Sequence, residues 1–144
     1  MHNVLIGDGG MLSGTSVGGA DVMVGGNSRR GSVINVLIGD ACTLEAGASA
    51  GKDILIAGTA SGRASSVQNI FWGDAVFADV NSDMAADRFI FGNGAGSLNF
   101  IMDFQLGMDT IEFDFNRQNR NQDIDVRWDN NNTVIEAGAV SVTL

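Results

Sequence analysis

One strand-and-turn motif stands three times before residue 75, as Asn3-Val4-Leu5-Ile6-Gly7-Asp8, Asn35-Val36-Leu37-Ile38-Gly39-Asp40 and Asn69-Ile70-Phe71-Trp72-Gly73-Asp74, spaced by 32 and then 34 residues. Each copy is followed, 13 residues after its Gly-Asp aspartate, by a second strand type: Asp21-Val22-Met23-Val24-Gly25, Asp53-Ile54-Leu55-Ile56-Ala57-Gly58 and Asp87-Arg88-Phe89-Ile90-Phe91-Gly92. An insert of constant length between two variable strands marks a repeat. Units this short cannot bury themselves singly, so they fold by stacking. A shortened fourth copy follows in Ser97-Leu98-Asn99-Phe100-Ile101-Met102-Asp103, with Asp109-Thr110-Ile111-Glu112-Phe113 as its partner strand.

Every unit is a short run of Val, Ile, Leu or Phe bounded by Gly, Asn or Asp, without helical periodicity. The expected fold is all-β, a parallel β-roll or β-solenoid with almost no helix before residue 103, its coils pairing at about 4.8 Å. The strand starts at 3, 21, 35, 53, 69 and 87 allow two geometries. In one, a coil takes roughly 18 residues, two nonapeptides. In the other it takes roughly 33, with the Asn-type strands in one sheet and the Asp-type strands in the facing one. The residues two after each Asn or Asp, namely Leu5, Met23, Leu37, Leu55, Phe71 and Phe89, are expected to form a core ladder, opposed by Leu12, Leu44 and Phe77. After residue 103, Phe104, Ile111, Phe113 and Phe115 suggest a last solenoid strand, and residues 117–122 a polar loop. Residues 124–128 and 133–136 read as a β-hairpin across Asp129-Asn130-Asn131-Asn132, and 140–144 as one more strand. Residues 1–102 are thus assigned to repeats and 103–144 to the cap that a solenoid needs at its end.

The 144 residues, 44% of them hydrophobic, suit one domain with a real core. Its 14 Asp and 3 Glu against 7 Arg and 1 Lys leave a net charge of −9, which argues against nucleic-acid or anionic-membrane binding. The longest apolar runs are far too short for a membrane span. Cys42 is the single cysteine, so no disulfide framework exists, and the lone His2 has no Cys/His cluster around it. No Gly-x-Ser-x-Gly elbow occurs. The sequence opens without a signal peptide, which fits a cytosolic protein, an excised domain or export by another route. Beginning inside a repeat, it is expected to be part of a larger protein with a domain upstream.

Asp21-Val-Met-Val-Gly-Gly and Asp53-Ile-Leu-Ile-Ala-Gly resemble the Asp-x-Leu-x-Gly-Gly half-repeat of RTX, or haemolysin-type, calcium-binding proteins. The segment Asp103-Phe104-Gln105-Leu106-Gly107-Met108-Asp109-Thr110-Ile111 is similar to the Asp-Phe-x-x-Gly-x-Asp-x-Ile stretch that follows such repeats. The resemblance implies a right-handed parallel β-roll, type I secretion to the cell exterior or surface, and Ca²⁺ held in the turns by Gly carbonyls and Asp carboxylates. It singles out Asp21, Asp53 and Asp87, with Gly19 and Gly51 in the turns before the first two, and secondarily Asp8, Asp40 and Asp74. No complete Gly-Gly-x-Gly-x-Asp is present, and Lys52 stands next to Asp53. The same aspartates also suit turns, in which their side chains accept backbone N–H bonds. Asn3, Asn35 and Asn69 suit a structural amide ladder.

The function expected is therefore a non-catalytic, calcium-binding module of an exported protein. A small parallel β-helix enzyme or binder acting on polysaccharide, with paired aspartates as acid and base, is the alternative from the enzyme class. A calcium-free adhesin or surface-layer spacer is the other. The strands carry apolar residues on their outward positions as well, among them Val4, Ile6, Val22, Val24, Val36, Ile38, Ile54, Ile56, Ile70 and Trp72. Such a sheet is expected to be covered by the C-terminal segment, by an upstream domain or by a second copy.

Overall fold

The computed structural model describes residues 1–94, 97–115 and 123–144. The polar loop expected over residues 117–122 lies outside them. Fourteen strands and no helix make up the described residues: β1 (His2–Ile6), β2 (Gly9–Leu12), β3 (Val22–Val24), β4 (Gly31–Ile38), β5 (Ala41–Leu44), β6 (Ile54–Ile56), β7 (Ser65–Trp72), β8 (Ala75–Ala78), β9 (Arg88–Gly92), β10 (Ser97–Ile101), β11 (Thr110–Asp114), β12 (Ile124–Asp129), β13 (Asn132–Ala137) and β14 (Val140–Thr143).

The chain winds as a parallel β-solenoid of about three turns. Like stacks on like: β1, β4, β7 and β10 form one parallel face, β3, β6, β9 and β11 a second, and β2, β5 and β8 a third. Asn3 pairs with Asn35, Asn35 with Asn69 and Asn69 with Asn99, so the coils advance by 32, 34 and 30 residues. The 18-residue coil is thereby excluded. Its failure has a physical cause, since the stretch between the two strand types carries a third strand and cannot act as the tight turn a two-nonapeptide coil requires. The fourth coil lacks that third strand, because only five residues lie between Asp103 and Asp109.

Alternation along each strand places every second side chain inside. Met23, Leu37, Leu55, Phe71 and Phe89 form the buried column anticipated from the repeat, with Leu5 half-buried on the first coil and Phe91, Ile101 and Val142 added towards the end. Phe71 meets Phe89 and Phe91 edge-on, with ring centroids 6.0 and 5.7 Å apart. Leu12 and Leu44 face the interior of the third sheet, but Phe77 does not: it is 70% exposed. The Gly-Asp turns set the register, and Phe77 lies three residues beyond Asp74 whereas Leu44 lies four beyond Asp40. Thr43 therefore pairs with Phe77, and Leu44 with Ala78.

At the far end β14 adds in parallel to β10, and β13 and β12 follow antiparallel. The β12–β13 hairpin turns on Asn130 and Asn131, both at positive φ (48° and 68°), the pair of left-handed residues that a two-residue hairpin demands. These strands prolong the first sheet at its edge and so do not cover its outer face. There Val4 and Leu98 stay exposed, while Val36, Ile70 and Trp72 are half-buried and Ile38 is buried.

Candidate functional site: the aspartate corner

Each Gly-Asp dipeptide ends a strand of the first sheet and turns the chain towards the third. Glycine is required there by close approach. A Cβ on Gly39 would overlap the carbonyl oxygen of Gly73 and Oδ2 of Asp53, and one on Gly7 or Gly73 would overlap Oδ2 of Asp21 or Asp87. The missing side chain makes room for the carboxylate that begins the Asp-type strand, which explains why the two motifs travel together.

The first aspartate series closes each coil on itself. Asp8 Oδ2 accepts the N–H of Gly19 at 2.7 Å, Asp40 Oδ1 that of Gly51 at 2.8 Å, and Asp74 Oδ1 that of Ala85 at 2.8 Å. The constant 11-residue reach of these bonds is the structural origin of the constant insert. The second series links successive coils. The N–H of Asp21 donates to Asp53 Oδ1, that of Asp53 to Asp87 Oδ1 and that of Asp87 to Asp109 Oδ1, at 2.7, 2.8 and 3.0 Å. All six expected aspartates thus meet along one corner of the solenoid. Gly19 and Gly51 reach it through their N–H groups.

Two further aspartates and an amide complete the corner at the capped end. Asp103 accepts the N–H groups of Gly73 and Asp74, Asp109 accepts that of Gln105, and Gln105 Nε2 donates to Asp74 Oδ2 at 2.7 Å. The strand alignment could have exposed Asp109, which precedes Thr110 as Asp87 precedes Arg88. Nothing in the repeat pointed to Gln105, which lies in the shortened connection.

Asp40, Asp53, Asp74 and Asp87 are at most 1% exposed. Among the described residues, Oδ2 of Asp21, Asp40, Asp53 and Asp87 is buried without a hydrogen-bond partner. The ion pairs found there, Arg88 with Glu112 and Arg127 with Asp129 and Glu136, all lie outside the corner, and Lys52 is exposed. Burial, opposed by the bond from Gly51 and reinforced by the charge of Asp53, raises the pKa of Asp40 to about 8. Burial likewise lifts Asp87 to about 8, Asp74 to about 7, and Asp53 and Asp103 to about 6. A fully ionised corner is therefore unfavourable by itself and calls for a counter-charge, either protons or a cation.

Oxygen-only donors and unpartnered buried carboxylate oxygens fit a hard cation. Among the described residues, however, no three His, Cys, Asp or Glu side chains gather in the arrangement of a metal site. A cation here would have to combine carboxylates of the two series with backbone oxygens. Asp40, Asp53, Asp74 and Asp87 sit inside the coil, and Asp103 is half-buried beside them. No family model, curated protein or solved structure matches the chain.

Proposed function

We propose that this chain is a non-catalytic structural module of an exported protein, a parallel β-roll whose aspartate corner takes up Ca²⁺ as it folds. The observation that carries the proposal is the set of four buried carboxylate oxygens, on Asp21, Asp40, Asp53 and Asp87, with no donor and no basic side chain to meet them among the described residues. An ion buried without a partner costs several kcal/mol, roughly. One cation between neighbouring carboxylates offsets that cost for more than one of them. Ca²⁺ suits the corner better than Mg²⁺, because it tolerates an irregular set of oxygens where Mg²⁺ demands an octahedron. The resemblance of the Asp-type strands to RTX half-repeats supports the same ion. On this reading folding couples to the ion once the chain has been exported into a calcium-rich medium. Burial of Asp40, Asp53, Asp74 and Asp87 at 1% exposure or less supports a structural role over acid–base chemistry on a saccharide.

Titration of Ca²⁺ into the chelator-treated chain, followed by calorimetry, circular dichroism and proton release, tests this. Binding heat, a melting temperature raised by many degrees and protons released as the carboxyls ionise are expected. The double variant Asp40→Asn with Asp53→Asn should lose most of that response. A chain that is β-folded in chelator and unmoved by Ca²⁺ would falsify the proposal and leave protons as the counter-charge.

A further inference from the structure

Among the described residues the first sheet is bounded at its capped side by β12, which pairs with β13 on one side only. An unpaired edge is a template for another strand, and proteins blunt it with a bulge, a proline or a repelling charge. The first two are missing from β12. Its residues pair with β13 without a break from Ile124 to Asp129, and the chain contains no Pro.

The backbone pairing shows which residues address the open edge. Thr133 and Leu144 exchange both N–H···O bonds, at 3.3 and 2.9 Å, so β13 meets β14 through Thr133, Ile135 and Ala137 and meets β12 through Asn132, Val134 and Glu136. Opposite those three stand Asp129, Arg127 and Asp125. The N–H and C=O groups of Ile124, Val126 and Trp128 therefore point away from the sheet. Their side chains share one face and are exposed at 61, 61 and 72%. Val126 and Trp128 also line an apolar hollow with Phe104, Ile111 and Ile135. On the other face Asp125 stands directly across from Glu136, a like-charged pair that disfavours the hairpin. Arg127 is committed to Glu136 and Asp129, and among the described residues no cation meets Asp125.

We infer that β12 is a dimerisation edge, pairing antiparallel with β12 of a second copy of this chain about a twofold axis through Val126. Only Ile124, Val126 and Trp128 offer bonds outwards, so these residues must oppose one another across the axis. The registers that keep most of the strand paired are centred on Asp125, Val126 or Arg127. Centring on Asp125 sets that carboxylate against its own copy, and centring on Arg127 does the same with a guanidinium. Centring on Val126 sets Asp125 against Arg127 of the second copy and Ile124 against its Trp128, and the twofold axis makes each contact twice. The charged residues then occupy a non-hydrogen-bonded pair, with Cα atoms about 4.5 Å apart and side chains in close reach. Asp125 thereby gains the cation that its own chain withholds. The apolar side chains form one strip across both copies, and the two first sheets become one. Asp123 and Asp129 fall at the solvent-exposed ends of the pairing, where salt screens them, and Asp129 is held by Arg127. The aspartate corner takes no part in this contact.

Sedimentation of the full chain from about 10 µM to about 1 mM, the range for a small interface, should show a monomer passing to a dimer. Amide exchange of Ile124, Val126 and Trp128 should slow about tenfold or more over that range, while Asp125 and Arg127, bonded within the chain, change little. Asp125→Arg and Arg127→Asp should each weaken self-association about tenfold or more, because like charges then meet across the axis. Mixing the two variants should restore the dimer as a heterodimer, since every charged pair is again of opposite sign. Asp125→Arg places a cation across from Glu136 in its own chain, so its circular dichroism should stay that of the wild type and its loss of dimer is not a loss of fold. A chain that stays monomeric throughout overturns the inference. So does a dimer that either single variant leaves intact, a mixture that fails to associate, or protection that rises on other strands and not at Val126.

Discussion

The backbone N–H of Asp53 donates to Oδ1 of Asp87 one coil further on, at 2.8 Å, while Oδ2 of that same carboxyl is buried with no partner. One oxygen therefore holds coils together and the other opposes the fold whenever it is charged. Asp87→Asn keeps an acceptor for Asp53 and removes a charge that Asp74, Asp53 and Asp109 all disfavour. In chelator at pH 8 the variant should melt at or above the wild-type temperature. Asp87→Ala, which deletes the acceptor, should lose about 1 to 3 kcal/mol in chemical denaturation.

Stability in chelator should fall as pH rises. The corner carboxyls have folded pKa values raised from an ordinary 3.8 to about 6 for Asp53, about 7 for Asp74 and about 8 for Asp40 and Asp87. Between those limits the folded chain holds more protons than the unfolded one, so raising the pH favours unfolding. The stability of the protonated corner is complete below about pH 4 and is lost as the pH passes through 6 to 8. Melting temperatures compared at pH 5 and pH 9 should differ by on the order of 10 °C, the lower value at pH 9. With Ca²⁺ taken up as proposed, millimolar Ca²⁺ should flatten or reverse that slope, because a cation favours the ionised form.

Glycine positions separate by what stands beside them. Gly39→Ala places a Cβ onto the Gly73 carbonyl and the Asp53 carboxylate, both fixed by the neighbouring coils, whereas Gly10 has nothing within 4 Å of the same position. Gly39→Ala should cost about 3 kcal/mol or more, or prevent soluble folding. Gly10→Ala should stay within about 0.5 kcal/mol of wild type in the same denaturation series.

Stacking, parallel pairing and the Leu37–Leu55–Phe71–Phe89 column were legible because the Asn and Asp motifs recur with conserved spacing, and spacing is what parallel register obeys. The third sheet was harder to see. Its strands, such as Ala41–Leu44 and Ala75–Ala78, are short, rich in small residues and fixed mainly by the turns on either side. Inside and outside there depend on a one-residue difference in distance from Gly-Asp, which misplaced Phe77. The six repeat aspartates announced the corner. Gln105 did not, since a polar residue in a non-repeating connection gives no sign of which carboxylate it will meet.

That register makes a sharp contrast between two phenylalanines in one coil. Phe71 is fully buried against Phe89 and Phe91, whereas Phe77 points outwards at 70% exposure. Phe71→Ala should cost about 3 to 5 kcal/mol, while Phe77→Ala should change stability by less than about 0.5 kcal/mol. Equal effects in paired urea titrations would mean that the Thr43–Phe77 register is wrong.

The amide ladder is expected to be less tolerant than the carboxylate ladder, because its bonds use both halves of the Asn35, Asn69 and Asn99 side chains. Asn69 accepts from Asn35 and Gly58 through Oδ1 and donates to Asn99 and to the Gly58 carbonyl through Nδ2, at 0% exposure. Asn69→Asp turns the donating end into an acceptor facing two acceptors, the Gly58 carbonyl and Asn99 Oδ1. Its cost should exceed that of Asn69→Ala and grow with pH, the opposite of the relief expected when a corner aspartate is made neutral. Denaturation of both variants at pH 5 and pH 8 checks this. If Asn69→Asp is instead rescued by Ca²⁺, the ladder is a second cation path and the division of labour between amide and carboxylate columns fails.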